Sequence, residues 1–165
     1  MPGSDSGSDP VREAAARVLR VLAERGETLA VAESLTGGLL SAALVDVPGA
    51  SAVYRGGLIV YASDLKALLA GVPEELLAAR GPVDPDVALA LAAGARRVCA
   101  ADWGLATTGV AGPDPQGPAP VGTVFVACHG ARGEVRALRL PGDRSAVRRA
   151  AVAAALQLLA EQLAR

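Results

Sequence analysis

The chain has 165 residues, a formal net charge of −1 and 52% hydrophobic residues, which predicts one globular domain with a single core rather than a disordered chain. Near-neutral charge argues against a partner gripped by broad phosphate neutralisation. The four aromatic residues, Tyr54, Tyr61, Trp103 and Phe125, are too few for a platform that stacks single-stranded nucleic acid.

Residues 1–9 are rich in Gly, Ser and Asp and read as a disordered tail without the basic and apolar regions of a signal peptide. Residues 10–165 read as the domain. Asp9-Pro10 is a helix cap followed by proline in the first turn. Val11, Ala15, Val18, Leu19 and Leu22 then recur at helical spacing up to Gly26. Thr28 to Ala32 is a buried strand, Gly37 to Val45 a helix opened by a glycine pair, and Gly57 to Tyr61 a second buried strand. Ser63 caps a short helix that ends near Gly71, and another runs from Pro73 to about Arg80. Asp84-Pro85 repeats the cap-then-proline signal and opens a helix to about Ala100. A third strand spans Trp103 to Thr108, followed by a loop, Gly109 to Pro120, with three glycines and four prolines. Val121 to His129 and Glu134 to Leu140 form a hairpin of strands. Asp143 or Ser145 caps a last helix to about Leu163, with Val147, Ala151, Ala154, Leu158 and Leu159 inward.

Strands alternating with helices predict a single α/β domain, a three-layer α/β/α sandwich around a mostly parallel sheet that the last hairpin makes mixed. No run reaches the ~18 uninterrupted apolar residues of a membrane span. Cys99 and Cys128 lie in apolar stretches and read as buried free thiols of a cytoplasmic protein. One histidine and two cysteines argue against a zinc site. His129 reads as structural, since no acidic residue stands beside it.

Three strands end in polar residues, and in open α/β sheets ligands bind at such carboxyl ends. The first ends in Glu33-Ser34-Leu35-Thr36-Gly37-Gly38, the second in Tyr61-Ala62-Ser63-Asp64-Leu65-Lys66, the third in Thr107-Thr108-Gly109. Small residues at a helix start leave amides free for an anion, so Thr36, Gly37 and Gly38 are candidate donors to a phosphate or oxyanion. Neither a Walker loop nor a GxGxxG fingerprint is present. Among sixteen Lys and Arg residues Lys66 is the single lysine, and lysine can lose its proton in a desolvated site where arginine cannot. Ser63 lies one helical turn before it, the spacing of a serine–lysine pair. Ser34, from the first loop, is the other serine that Lys66 could serve. Tyr61 could carry a proton or orient the lysine. Thr108 could donate to a ligand oxygen, and Gly109 beside it is a candidate substrate- or phosphate-binding residue. Arg144 or Arg148, at the start of the last helix, could grip a phosphate with two hydrogen bonds.

The segments AESLTGG (32–38), DVPGASAVYRGGLIVYASDLK (46–66), LLAGV (68–72), GPV (81–83), TTGVAGPD (107–114), PVGTV (120–124) and GDRSAVR (142–148), in that order, resemble the CinA carboxy-terminal domain family over about residues 11–163. Free-standing members of that family are nicotinamide-nucleotide amidohydrolases. The resemblance implies a three-layer sandwich that hydrolyses nicotinamide mononucleotide to nicotinic acid mononucleotide and ammonia, with no metal or cofactor. It places the family's serine nucleophile on Ser34, its lysine on Lys66, its tyrosine on Tyr61 and its threonine on Thr108, with Arg144 or Arg148 for the phosphate. The chain departs from the family at Leu35, where cysteine is frequent, at Ser63 for asparagine, and at Ala119 for lysine. The pyrophosphatase domain of longer relatives is not part of this sequence, so its metal-dependent activity is not expected. A small-molecule substrate, no nucleic acid, no membrane and a homo-oligomer complete the expectations. Two other readings stay open: a non-catalytic binder of nucleotides or proteins, and a serine–lysine amidase acting on another small amide.

Overall fold

A computed structural model describes residues 9–165; the tail expected over 1–8 lies outside the described residues. Asp9, placed in that tail by the sequence reading, belongs to the domain. It caps the first helix by accepting from the Val11 amide.

The elements follow in the order α1 (Pro10–Arg25), β1 (Leu29–Glu33), α2 (Leu39–Val45), β2 (Tyr54–Ile59), α3 (Ser63–Ala70), α4 (Glu74–Arg80), α5 (Pro85–Val98), β3 (Trp103–Gly109), β4 (Thr123–His129), β5 (Gly133–Arg139) and α6 (Arg144–Leu163). The sheet order is β2-β1-β3-β4-β5. β1 runs parallel to both β2 and β3, and the β4–β5 hairpin adds the antiparallel pairs that make the sheet mixed.

Side-chain alternation along the strands builds two cores. Leu29, Val31, Leu105, Val124 and Val126 face α1, α2 and α6, where Leu22, Leu44, Leu156 and Leu159 are buried against them. Each such leucine contributes about 1.5–3 kcal/mol of apolar burial. Ala30, Ala32, Ala106 and Ala127 face α5 and α3. The small residues on that face let α5 come close: a Cβ on Gly104 would lie 1.9 Å from the Ala92 carbonyl oxygen. Helices thus cover both faces and give the three-layer sandwich expected from the sequence.

Several boundaries differ from those expected. The second strand is Tyr54–Ile59, not Gly57 to Tyr61, and it forms an edge with alternating half-buried and exposed residues rather than a buried strand. A run of apolar residues does not reveal where pairing stops. Ser63 is the first residue of α3, and Ala62 occupies its cap position without a side-chain bond. Asp143 caps α6 by accepting from the Ala146 amide. On α6, Ala154 is half-buried while Val152, Ala155 and Leu156 are buried. Cys128 is buried, which pushes its thiol up to about 12, but Cys99 at the end of α5 is half-exposed. Among the described residues no helix is long and apolar enough to cross a membrane.

Candidate active site

The strand order reverses around β1: β2 lies on one side of it and β3 on the other. The connection to β2 passes through α2 on one face, and the return to β3 passes through α3, α4 and α5, with α3 and α5 on the other. A strand flanked in this way opens a crevice at its carboxyl end, where ligands bind in open α/β sheets. Ser34 is the first residue beyond β1 and sits in that crevice.

A cavity of about 390 Å³ lies over it, within the range of small-molecule sites. Ser34, Lys66 and Thr108 are buried in its floor, each under 10% exposed. Leu35, Tyr61, Pro82, Val83, the loop from Gly109 to Gln116 and Arg144 line the rest of it.

Lys66 lies on the inward face of α3. Its Nζ is 3.0 Å from Ser34 Oγ, 2.7 Å from the Val60 carbonyl oxygen and 3.3 Å from the Tyr61 carbonyl oxygen. With three polar neighbours and no carboxylate among them, burial lowers its pKa from 10.5 to about 8. As an ammonium it donates to all three. As a neutral amine it keeps two N–H groups for the two carbonyls, and its lone pair faces the Ser34 hydroxyl. The Lys66 amine is thereby oriented toward Ser34 by the main chain of the segment after β2.

The serine–lysine pair is therefore Ser34 with Lys66. Ser63, the other serine considered, is exposed at the start of α3 and lines a separate groove with Asp64 and Glu74. Tyr61 orients the lysine, but through its carbonyl; its phenol is 63% exposed and accepts from Arg144 Nη2 at 3.2 Å. The Thr108 hydroxyl donates to the Pro82 carbonyl at 2.7 Å, which leaves its oxygen lone pairs to a ligand.

Comparison with known proteins bears on this geometry. A profile of the CinA C-terminal domain matches residues 11–163. The chain belongs to the CinA C-terminal domain family. It is 55% identical over 148 residues to a CinA-like protein of Frankia casuarinae, covering 89% of this chain and 34% of that protein. Against a CinA-like protein of Geobacter sulfurreducens it is 45% identical over 159 residues, 95% of this chain and 38% of that one. The chain thus spans about a third of the length of these relatives. Among solved structures, competence/damage inducible protein CihA from Agrobacterium tumefaciens superposes with a TM-score of 0.91 at 33% identity, covering 96% of this chain and 98% of that one. Competence damage-inducible protein A from Klebsiella pneumoniae superposes with a TM-score of 0.92 at 33% identity, over 95% and 99% of the two chains.

In this CinA-family domain the anion cradle expected at Thr36, Gly37 and Gly38 is not open to the cavity. The Gly37 amide donates to the Ser34 carbonyl, and the Gly38 amide to the Glu33 carboxylate. The Thr36 hydroxyl is fully buried and pairs with Thr107 Oγ1 at 2.8 Å. None of the three residues lines the cavity. Their use is conformational: Gly37 and Gly38 have φ of 56° and 107°, which only glycine adopts without strain, and the turn they make aims Ser34 inward.

The two arginines separate. Arg148 donates from Nε to the Leu35 carbonyl at 2.9 Å and from Nη2 to the Thr36 carbonyl at 3.1 Å, so it fastens the turn rather than reaching the cavity. Arg144 lines the cavity, held by the Gly112 carbonyl at 2.6 Å and by the Tyr61 phenol. Ala119 pairs through its main chain with Gln116, whose side is on the cavity wall. His129 is away from the site, 3.3 Å from Arg96 Nη1. Among the described residues no cluster of His, Cys, Asp or Glu could hold a metal. The sequence reading missed Glu33 and the Pro82–Val83 wall. An acid shortly before a helix start was the available signal for Glu33.

Proposed function

We propose that this domain hydrolyses the carboxamide of nicotinamide mononucleotide to nicotinic acid mononucleotide and ammonia. The observation that carries the reading is the 3.0 Å contact between Lys66 Nζ and Ser34 Oγ on a cavity floor where burial favours the neutral amine. The substrate is taken from the resemblance of motifs around these residues; the arginine at the cavity side supports it by suiting a phosphate.

In this scheme the Ser34 oxygen forms a bond to the carboxamide carbon and its proton passes to Lys66 Nζ. The carbonyl oxygen becomes an oxyanion that donors around the cavity stabilise. The intermediate collapses, the carbon–nitrogen bond breaks, and the departing amine takes the proton from Lys66 and leaves as ammonia. Water then adds to the acyl-serine, giving its proton to Lys66, and the carboxylic acid is released as Ser34 regains its hydrogen. Val60 and Tyr61 carbonyls hold Nζ in place through both transfers, and Arg144 meets the phosphate.

The test is ammonia release from nicotinamide mononucleotide by chelator-treated protein, with Lys66→Ala alongside. Release by the wild type alone supports the reading. Release from nicotinamide or nicotinamide riboside but not from the mononucleotide would move the assignment to another small amide, and release from none would leave a binding domain.

A further inference from the structure

The turn that carries Ser34 is held by a carboxylate that takes no part in the reaction above. Glu33, the last residue of β1, is fully buried. Its Oε1 accepts from the amides of Gly38 at 3.2 Å and Leu40 at 2.9 Å. Its Oε2 accepts from the Ser41 amide at 3.0 Å and the Ser41 hydroxyl at 2.6 Å. The Tyr54 phenol of β2 donates to Ser41 Oγ at 2.9 Å, and burial raises its pKa so that it keeps its hydrogen. No cation is among these partners.

A buried charge is a costly way to fill space, and an apolar residue would pack there with less desolvation. What the carboxylate adds is geometry. It ties four donors of the turn and of α2 to one point on β1. The main chain of the same residue fixes the other half of the pair. The Glu33 carbonyl accepts from the Val60 amide at 2.9 Å, and the Val60 carbonyl accepts from Lys66 Nζ at 2.7 Å. Ser34 follows Glu33 in the chain. Nucleophile and base are thus both referenced to one residue.

We propose that Glu33 is a positioning residue whose carboxylate sets the distance between Ser34 and Lys66. In Glu33→Gln one oxygen becomes an NH₂ that faces N–H donors, so the amide and hydroxyl of Ser41, or the amides of Gly38 and Leu40, lose their acceptor. The turn relaxes and Ser34 Oγ leaves the 3.0 Å contact. The proposal rests on the Ser34–Lys66 pair and not on the identity of the substrate.

The test needs no substrate. A fluorophosphonate modifies activated serines, and the extent of labelling at Ser34 is read by mass spectrometry against probe concentration and pH. In Glu33→Gln the maximal labelling rate is expected to fall tenfold or more. The half-saturating probe concentration should stay within threefold and the pH midpoint should not move, at a temperature where circular dichroism shows the variant folded. A folded Glu33→Gln that labels within twofold of wild type overturns the proposal, since a carboxylate of structural use alone would not change the rate of folded protein. Wild-type protein that leaves Ser34 unlabelled overturns it as well. If Glu33→Gln does not fold, Ser41→Ala carries the test: it removes the 2.6 Å bond and the Tyr54 link, and a twofold to fivefold drop is expected, with an unchanged rate refuting the idea. Wild type that labels but does not hydrolyse the mononucleotide would count against the substrate and not against Glu33.

Discussion

Replacing Lys66 by methionine should make stability depend less on pH, and the size of the change follows from the site. Burial lowers the Lys66 pKa from 10.5 to about 8. At pH 7 the lysine is protonated in both folded and unfolded chains, and the folded state bears the full cost of a desolvated charge. Between the two pKa values the unfolded chain binds more protons than the folded one, so wild-type stability rises with pH in that window. Each pKa unit is about 1.4 kcal/mol, and integration from pH 7 to pH 10 gives a gain of about 2.5 kcal/mol. Lys66→Met keeps an unbranched side chain one atom shorter, with no proton to lose. It also strands the Val60 and Tyr61 carbonyls, at roughly 1–3 kcal/mol each, but that offset is independent of pH. The readout is therefore the slope of the difference and not its value at one pH. Urea unfolding followed by circular dichroism at pH 7, 8, 9 and 10 on both proteins gives it. Wild type should gain about 2.5 kcal/mol on Lys66→Met across the series, equivalent to roughly 5–10 °C in melting temperature for a chain of this size. A difference that stays flat would mean that Lys66 is not desolvated, and the argument for a neutral amine beside Ser34 would fall with it.

Activity should rise with pH through a midpoint near 8 as Lys66 loses its proton, and Lys66→Arg should be inactive at every pH because arginine stays charged; a pH–rate profile of each protein checks both. Ser34→Ala should lower kcat on the order of 10³-fold or more at wild-type melting temperature, since the serine is the proposed nucleophile and not part of the core. Arg144→Ala should raise KM roughly 10–100-fold, the equivalent of 1.5–3 kcal/mol for charge-assisted hydrogen bonds, with a smaller change in kcat. Arg148→Ala should do the reverse, lowering kcat and the melting temperature by several degrees with KM little changed, because it holds the Leu35 and Thr36 carbonyls. Gly94→Ala should destabilise the fold by about 1–3 kcal/mol or more, measured by urea unfolding. Its Cβ would lie 2.0 Å from the Ala70 carbonyl oxygen at the end of the helix that carries Lys66.

The parts of this site that can be read from sequence are those where one residue type does what its alternatives cannot. Lys66 stands out because fifteen arginines surround it in composition. Asp9 and Asp84 mark helix starts because each is a short acceptor followed by proline, and both accept from amides of the turns they cap. What cannot be read is how backbone donors are shared. Glycines after a strand suggest free amides, yet in this chain Glu33 and the Ser34 carbonyl take the amides of Gly38 and Gly37. Which acceptor wins depends on distances set by β1 and α2 together, and neither element contains that information alone. The end of β2 is hidden for a similar reason. Val60 and Tyr61 continue the apolar composition of the strand, but their carbonyls turn to Lys66, so the residues that prolong the pattern belong to the site.

The same contacts explain why the lysine beside Ser34 comes from a helix after an edge strand. A lysine in the middle of a sheet would find its neighbours' carbonyls already paired in the ladder. At the edge, the strand pairs on one side only, and a chain that leaves it has carbonyls free for a side chain. β2 is such an edge, Val60 and Tyr61 follow its last residue, and α3 starts two residues later. Lys66 is then one turn into α3, close enough for its amine to take both carbonyls. The interior position of β1 meets the complementary need, because a strand paired on both sides holds Ser34 stiffly. A rigidly held serine after an interior strand and a lysine cradled after the edge strand are two different demands on one sheet. The reversal of strand order at β1 places them side by side.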